Sequence, residues 1–289
     1  MTILSLHRVT LRALLLSLAS ATAWSADVDA REIIRRAVAD DERNWKQARN
    51  YGFSQRVDDR RLDPLGQLKS KEVTIYDVTL LEGSPYQRLA GRDDNPLSPR
   101  DEKKEQEKLT RSIAERQKES AAQRALRLTI YESRPEWQRE AWHELPEAFD
   151  FRLTEEEQWA GKSHYVIQAT PRVGYQPRSS TAKLLVHLQA KLWVDKHDYH
   201  LVKAEVEVVD TISLGLVLVR LAKGSRATFE LARVDDSVWL PLRVQVFASA
   251  RLGLLKVLRI EQEIIYSKCR EFQAGSLALS KAGNRASIP

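Results

Sequence analysis

The chain carries two hydrophobic rhythms in succession. In residues 28–48, VDAREIIRRAVADDERNWKQA, Ile33, Ile34, Ala37, Val38 and Trp45 recur at helical spacing, with arginines and aspartates opposite, so an amphipathic helix is predicted. From residue 51 the period drops to two. Tyr51, Phe53 and Val57 alternate with Gly52, Ser54 and Arg56, DPLGQ at 63–67 supplies turn residues, and EVTIYDVTLL (72–81) returns, so a first hairpin is expected. Residues 98–127 open with Ser98, Pro99 and Asp101 in the order of a helix cap. Strong helix formers follow, with a thin apolar line of Leu109, Ile113 and Ala121, which predicts a largely solvated helix. A second, short helix is predicted over 134–145, where Trp137, Ala141 and Leu145 share a side, ending before Pro146.

From 149 onward the reading is almost wholly strand. Val202, Ala204, Val206 and Val208 alternate with Lys203, Glu205 and Glu207. Leu240, Leu242, Val244 and Val246 are expected to face inward, and Arg243 and Gln245 outward. Leu258, Ile260, Ile264 and Tyr266 alternate with Arg259, Glu261, Glu263 and Ser267, and turns are read at 196–198 and 234–237. Clean alternation means an antiparallel sheet with one wet and one buried face. About ten strands are expected, a number at which open sheets curl. The fold class is therefore α+β: a strongly curved antiparallel sheet, a half-open β-barrel, closed by helices on its concave face. Two stretches break the rhythm. ISLGLVLV (212–219) has no charge and a single polar side chain, Ser213, and ARLGLLKVL (250–258) is similar and is expected nearby. Both faces of these runs are apolar, which suits either plain core or the mouth of a greasy cavity.

Composition adds compartment and excludes partners. With 289 residues, 43% hydrophobic, the chain can bury a sizeable core. The formal charge is +6, with 40 acidic residues mixed in and no basic block interleaved with aromatics, so a nucleic-acid partner is not expected. Residues 1–25 have a basic start, the apolar stretch ALLLSLASA, and small residues at Ala23 and Ser25, the layout of a cleaved secretory signal peptide. The apolar stretch is shorter than the roughly 20 residues that span a bilayer. Cleavage removes two arginines and leaves +4 on a periplasmic chain from residue 26. Cys269 is the only cysteine, so no internal disulfide is possible, and no cysteine near the cut could carry a lipid.

The sequence contains no nucleophile elbow, P-loop, dinucleotide fingerprint or H-E-x-x-H, so no catalytic residue is assigned. Asp195, His197, Asp198 and His200 in DKHDYH are metal-ligand types, but they sit at an expected turn, where Asp serves the backbone. Neither a metal nor a cofactor is expected. The glutamates of TEEEQW (154–159) are divided between two faces by alternation, and Cys269 has no recognisable histidine partner.

KLWVDKHDYHLVKAEVEVV (191–209), followed by VWLPLRVQV (238–246), resembles the sheet core of the outer-membrane lipoprotein-sorting family, with the LolA, LolB and RseB fold. Leu192, Trp193, Val194, Asp195 and then Trp239, Leu240, Pro241 stand in its recurring places. The resemblance covers about residues 28–270 and implies one domain over 26–289; the charged helical insertion at about 98–148 is a departure, being larger than expected of the carrier. It implies a half-open β-barrel with a helical lid over an apolar cavity, no enzymatic activity, and acyl chains, lipoproteins or signalling partners as ligands. The absence of a cysteine at the cut departs from the membrane-anchored LolB kind. Leu214, Leu216, Leu218, Leu252, Leu254, Leu240, Leu242 and Val244 are the candidate cavity residues, with peripheral membrane contact and an envelope protein as further partners. The alternatives are a protein-binding sensor using the 98–148 helices, marked by an exposed apolar groove on them, and an envelope hydrolase, marked by titratable groups converging in the cavity.

Overall fold

The computed structural model describes residues 29–159, 161–214, 219–235, 238–252 and 256–272. The expected signal peptide, Leu216, Leu218 and Leu254 lie outside them, as do the side chains of Leu214 and Leu252. The first helix, α1 (Ala30–Ala48), starts where Asp29 accepts a bond from the Arg31 amide, and it buries Ile33, Ile34 and Ala37. It leads into β1 (Tyr51–Leu62) and β2 (Leu68–Leu81), joined by the expected turn. There Asp63 Oδ1 accepts from the amides of Leu65 and Gln67, both at 2.8 Å, and Gly66 takes a φ of +87°. β3 (Ser84–Arg92) and the two-residue β4 (Asn95–Pro96) complete the first half of the sheet.

Residues 98–148 form three helices rather than the expected two: α2 (Pro99–Gln117), α3 (Ala121–Glu132) and α4 (Glu136–Ala148). The continuous helix expected over 98–127 breaks at Ser120. Its hydroxyl accepts from the Gln123 amide while the Gln123 side chain accepts from the Ser120 amide, a reciprocal cap that starts a new helix. α4 runs on through Pro146, whose missing N–H falls in the last turn, and the Arg31 guanidinium takes the Pro146 carbonyl. α2 is not merely solvated. Buried Glu105 accepts from the Leu89 amide on the outer edge of β3, and Arg116 donates to the carbonyls of Leu81, Ser84 and Pro85. A charged helix is thereby used to satisfy the backbone of a sheet edge that would otherwise template pairing with other chains.

The remaining elements are β5 (Phe149–Trp159), β6 (Lys162–Pro171), the short α5 (Ala182–Leu185), β7 (Leu188–Asp195), β8 (Leu201–Val208), β9 (Ile212–Leu214), β10 (Val219–Leu221), β11 (Arg226–Arg233), β12 (Trp239–Leu252) and β13 (Lys256–Glu271). Among the described residues the strands number thirteen against the ten expected, all antiparallel, in the order β4-β3-β2-β1-β13-β12-β11-β8-β7-β6-β5. The sheet is curved and not closed: β4 and β5 are its two ends, and β9 and β10 form a side ribbon on β12. This is the expected α+β fold.

The register produces an apolar row across eight strands on one face: Leu153, Ile167, Leu192, Ala204, Phe229, Val244, Ile264 and Val57 are successive cross-strand neighbours. Ile33, Ile34 and Ala37 of α1, Ala148 of α4, and Ala182 and Leu185 of α5 bury the Ile167–Leu192–Ala204 end of it in the main core. α1 is also pinned at its far end. Asn44 donates to the Trp239 carbonyl at 2.9 Å and accepts from the Trp239 amide at 2.8 Å, both buried.

The alternation of β12 is as expected for Val244 and Val246 on the apolar face and Arg243 and Gln245 opposite, since Val244 joins the row of Ala204 and Gln245 pairs with Thr228 and Glu263. Leu240 is buried. Leu242 departs from the expectation and is exposed. The pairing with β11 skips it, Glu230 facing Arg243 and Leu231 facing Pro241. One extra residue in a strand breaks the two-residue period, and periodicity alone carries no mark of such a bulge.

Candidate functional site

α1, α4 and α5 cover the β5–β8 part of the apolar face, and α1 reaches β12 at Trp239. Beyond β8 the same rows continue with their side chains left partly open. Phe229 is 40% exposed, and Val244, Val246, Ala248, Ile260 and Ile264 are half-buried. These six side chains come from three adjacent strands, with Phe229 beside Val244 and Val244 beside Ile264, and Val246 and Ala248 beside Gln262 and Ile260. They form a strip of branched and aromatic groups, bordered by Gln262, which donates to Asp59 at 2.6 Å. An apolar strip of this kind, continuous with the core and left partly wet, offers contact to an elongated apolar molecule.

Of the eight candidate residues, the structure places Val244 at the centre of this strip. Leu240 is packed beneath protein next to Trp239 and offers no ligand contact, and Leu242 stands out at the bulge. Leu214 and Leu252 flank Val219 from either side, since Val219 of the first run pairs with both. The two apolar runs are therefore side by side, as expected. Phe229, Val246 and Ile264 belong to the strip and were not among the candidates. The alternation of Ala227, Phe229 and Leu231 with Thr228 and Glu230 was the signal that could have found the first.

The opposite face holds a cleft of about 420 Å³ between β11 and β1. It is lined by Asp58, Arg60, Arg226, Thr228, Gln245, Phe247, Glu261, Gln262 and Glu263, with Val246 alone supplying the aliphatic groups expected of a carrier cavity. Carboxylates do converge here, Asp58 being the cross-strand partner of Glu263. Cations hold them. Buried Asp58 lies 3.0 Å from Arg60 and 3.4 Å from Lys71, and Glu263 takes the Arg243 guanidinium. The Arg60 hydrogen bond is the main reason the Asp58 carboxyl is held below the ordinary carboxylate range. A carboxyl depressed in this way is charged at neutral pH, the reverse of the raised carboxyl that a general acid needs.

Its depressed pKa makes Asp58 a source of pH-dependent stability. Asp58→Asn is expected to be less stable than the parent at neutral pH. A depressed carboxyl contributes stability above its unfolded pKa of about 3.9, and the contribution fades as pH falls through the folded value. The gap between the two proteins in urea melts is expected to close as pH falls below about 4, and a gap constant with pH would contradict the assignment.

The DKHDYH residues are used structurally. Asp195 Oδ1 accepts from the amides of His197 and Asp198, and Asp198 Oδ1 accepts from the His200 amide, which is turn chemistry. The buried His200 ring lies flat on Trp239, 5.0 Å between centroids, with Nδ1 2.5 Å from Asp40 of α1. Burial pushes the Asp40 carboxyl up, but the bonds from His200 and Arg43 outweigh it and leave the group below its usual value. Among the described residues no three potential ligands are grouped to hold a metal ion. Burial raises the Cys269 thiol, which lowers its thiolate fraction and its reactivity.

No protein-family model matches the chain, and no curated protein does. Solved structures with similar folds are found at low scores. A LolA superfamily protein from Nitrosomonas europaea is 13% identical, with 86% of this chain and 95% of that one covered, at a TM-score of 0.31. An outer-membrane lipoprotein-sorting protein domain from Vibrio parahaemolyticus, described as putative, is 11% identical over the same shares, at 0.35. The Pseudomonas aeruginosa MucA/MucB complex matches at 14% identity, 85% and 100% coverage and 0.25. The fold itself stands on the strand pairing of this chain.

Proposed function

We propose that this chain is a non-enzymatic binding protein of the cell envelope that holds an acyl chain, as part of a lipid or lipoprotein, on the open strip of its sheet. The observation that carries the reading is the apolar row from Leu153 to Val57, one half sealed under α1, α4 and α5 and the other half left half-exposed around Val244. A sheet that needed only a core would place polar groups beyond the last covering helix. The signal-like residues 1–25 support export, and among the described residues no helix is long and apolar enough to cross a membrane. The depressed Asp58 and its paired neighbours support a cleft without acid–base chemistry.

The test is mass spectrometry of protein purified from the envelope, first native and then extracted. An acyl-bearing molecule in near-unit amount, and a chain beginning near Ala26, are the expected results. Native protein free of any such molecule, and unable to take up a fluorescent fatty acid, would overturn the reading.

A second reading, docking of an envelope protein, is favoured by one observation. Leu126 and Ile130, one turn apart on α3, and Trp137 of α4 are all exposed. These exposed apolar side chains support such docking.

A further inference from the structure

Several strand ends meet at one end of the sheet. Leu62 at the end of β1 pairs with Arg259 near the start of β13, so the β1–β2 turn stands beside the start of β13. Val219 at the start of β10 pairs with Leu252 at the end of β12, so these strand ends stand beside it as well. Proximity extends to the side chains, since a Cβ on Gly66 would lie 3.8 Å from the Arg259 guanidinium.

The described part of this end brings two features together. Large apolar side chains stand free at the β1–β2 turn, where Leu65 is 82% and Leu68 59% exposed. Charge is also one-sided. Residues 60–71, 212–221 and 250–259 contain eight Lys or Arg and a single acid, Asp63, which is occupied in the turn. The net +7 of these segments exceeds the +6 of the whole chain, so everything else sums to −1. Two of these eight, Arg60 and Lys71, are tied to Asp58. Among the described residues, Arg61, Lys69, Arg220, Arg251 and Arg259 form no ion pair. The register puts Arg61 on the apolar face, as the partner of Ile260, and Arg251 and Arg259 on the opposite one, so cations flank the leucines from both sides.

We propose that this end of the sheet is a docking edge for an anionic lipid bilayer, with Leu65 and Leu68 entering the headgroup region and Arg61, Lys69, Arg251 and Arg259 lying against lipid phosphates. Apolar tips supply the part of the binding that resists salt, and the cations supply attraction that salt screens. The edge adjoins the apolar strip through β12 and β13, so a protein seated there would present the strip to the bilayer from which an acyl chain is taken or to which it is delivered. The inference goes beyond the acyl-chain reading and stands without it.

The experiment is flotation of envelope-purified protein with vesicles of phosphatidylglycerol and phosphatidylethanolamine, compared with phosphatidylcholine alone. The parent protein is expected to float with the anionic vesicles, weakly with the neutral ones, and to be partly released by 0.5 M salt. Leu65→Ser/Leu68→Ser should lower the bound-to-free ratio at least tenfold. Arg251→Glu/Arg259→Glu should lower it at least 25-fold, about fivefold per charge removed. Both pairs are surface changes, so a melting temperature near that of the parent is expected, and one pair still decides the matter if the other fails to fold. Failure of the parent to float, equal flotation with neutral vesicles, or folded variants that float like the parent would each overturn the docking edge. Edge variants are expected to retain the acyl-bearing molecule they purify with. Its loss together with flotation would assign both properties to the strip and also overturn the edge.

Discussion

Val244→Glu is expected to empty the protein of its apolar ligand while leaving it folded. Val244 sits between Phe229 and Ile264 in the open half of the apolar row. With the strip empty, a carboxylate there meets water and costs little. Under an acyl chain it would be buried without a partner, so the ligand is expelled or the carboxyl must take up a proton. Ile167→Glu places the same charge in the same row, but where α1 and the neighbouring strands leave no exposure. That variant is expected to unfold, because an unpaired charge in a closed core costs several kcal/mol, comparable with total domain stability of about 5–15 kcal/mol. Fluorescent fatty-acid binding and thermal melts on the two variants separate the halves of the sheet. Full ligand binding by a well-folded Val244→Glu protein would move the site off the strip, and unfolding of that variant would make the strip ordinary core.

Asn44→Leu is expected to be among the most damaging near-isosteric changes in the chain. The Asn44 side chain satisfies both the donor and the acceptor of Trp239 in a buried setting. Leucine leaves both backbone groups unpaired, at about 1–3 kcal/mol each. The sum corresponds to a fall in melting temperature of roughly 5–20 °C for a domain of this size. Asn44→Asp keeps the acceptor and loses the donor, so it is expected to fall between parent and leucine variant. Equal stability of all three would mean that α1 is held by its apolar face alone.

The two halves of the chain differ in how much of them is legible without coordinates. α1, the β1–β2 turn and the strand pairs after residue 149 follow from periods and turn residues lying within a few positions of one another. The second cap, Ser120 with Gln123, is equally local and equally readable, yet the run of helix formers around it hides the break. Leu242 shows the limit of periodicity, because a bulge is decided by what the partner strand pairs with. The same limit applies to the site. Val244 could be named from alternation, but Leu240, on the same inward parity, is sealed beneath protein.

By itself the sequence determined which side of each strand is apolar, where helices begin, and which short segments lack charge, since all three depend on neighbours in the chain. Only the tertiary structure decided how much of the apolar face is covered. That depends on α1 reaching from β5 to Trp239, a contact between residues 195 apart. It also decided that the ends of β1 and β12 and the starts of β10 and β13 meet at one end, because β1 pairs with β13 and β10 with β12. Exposure and charge clustering are properties of surfaces assembled from distant segments, and a local pattern holds no record of which distant segment arrives.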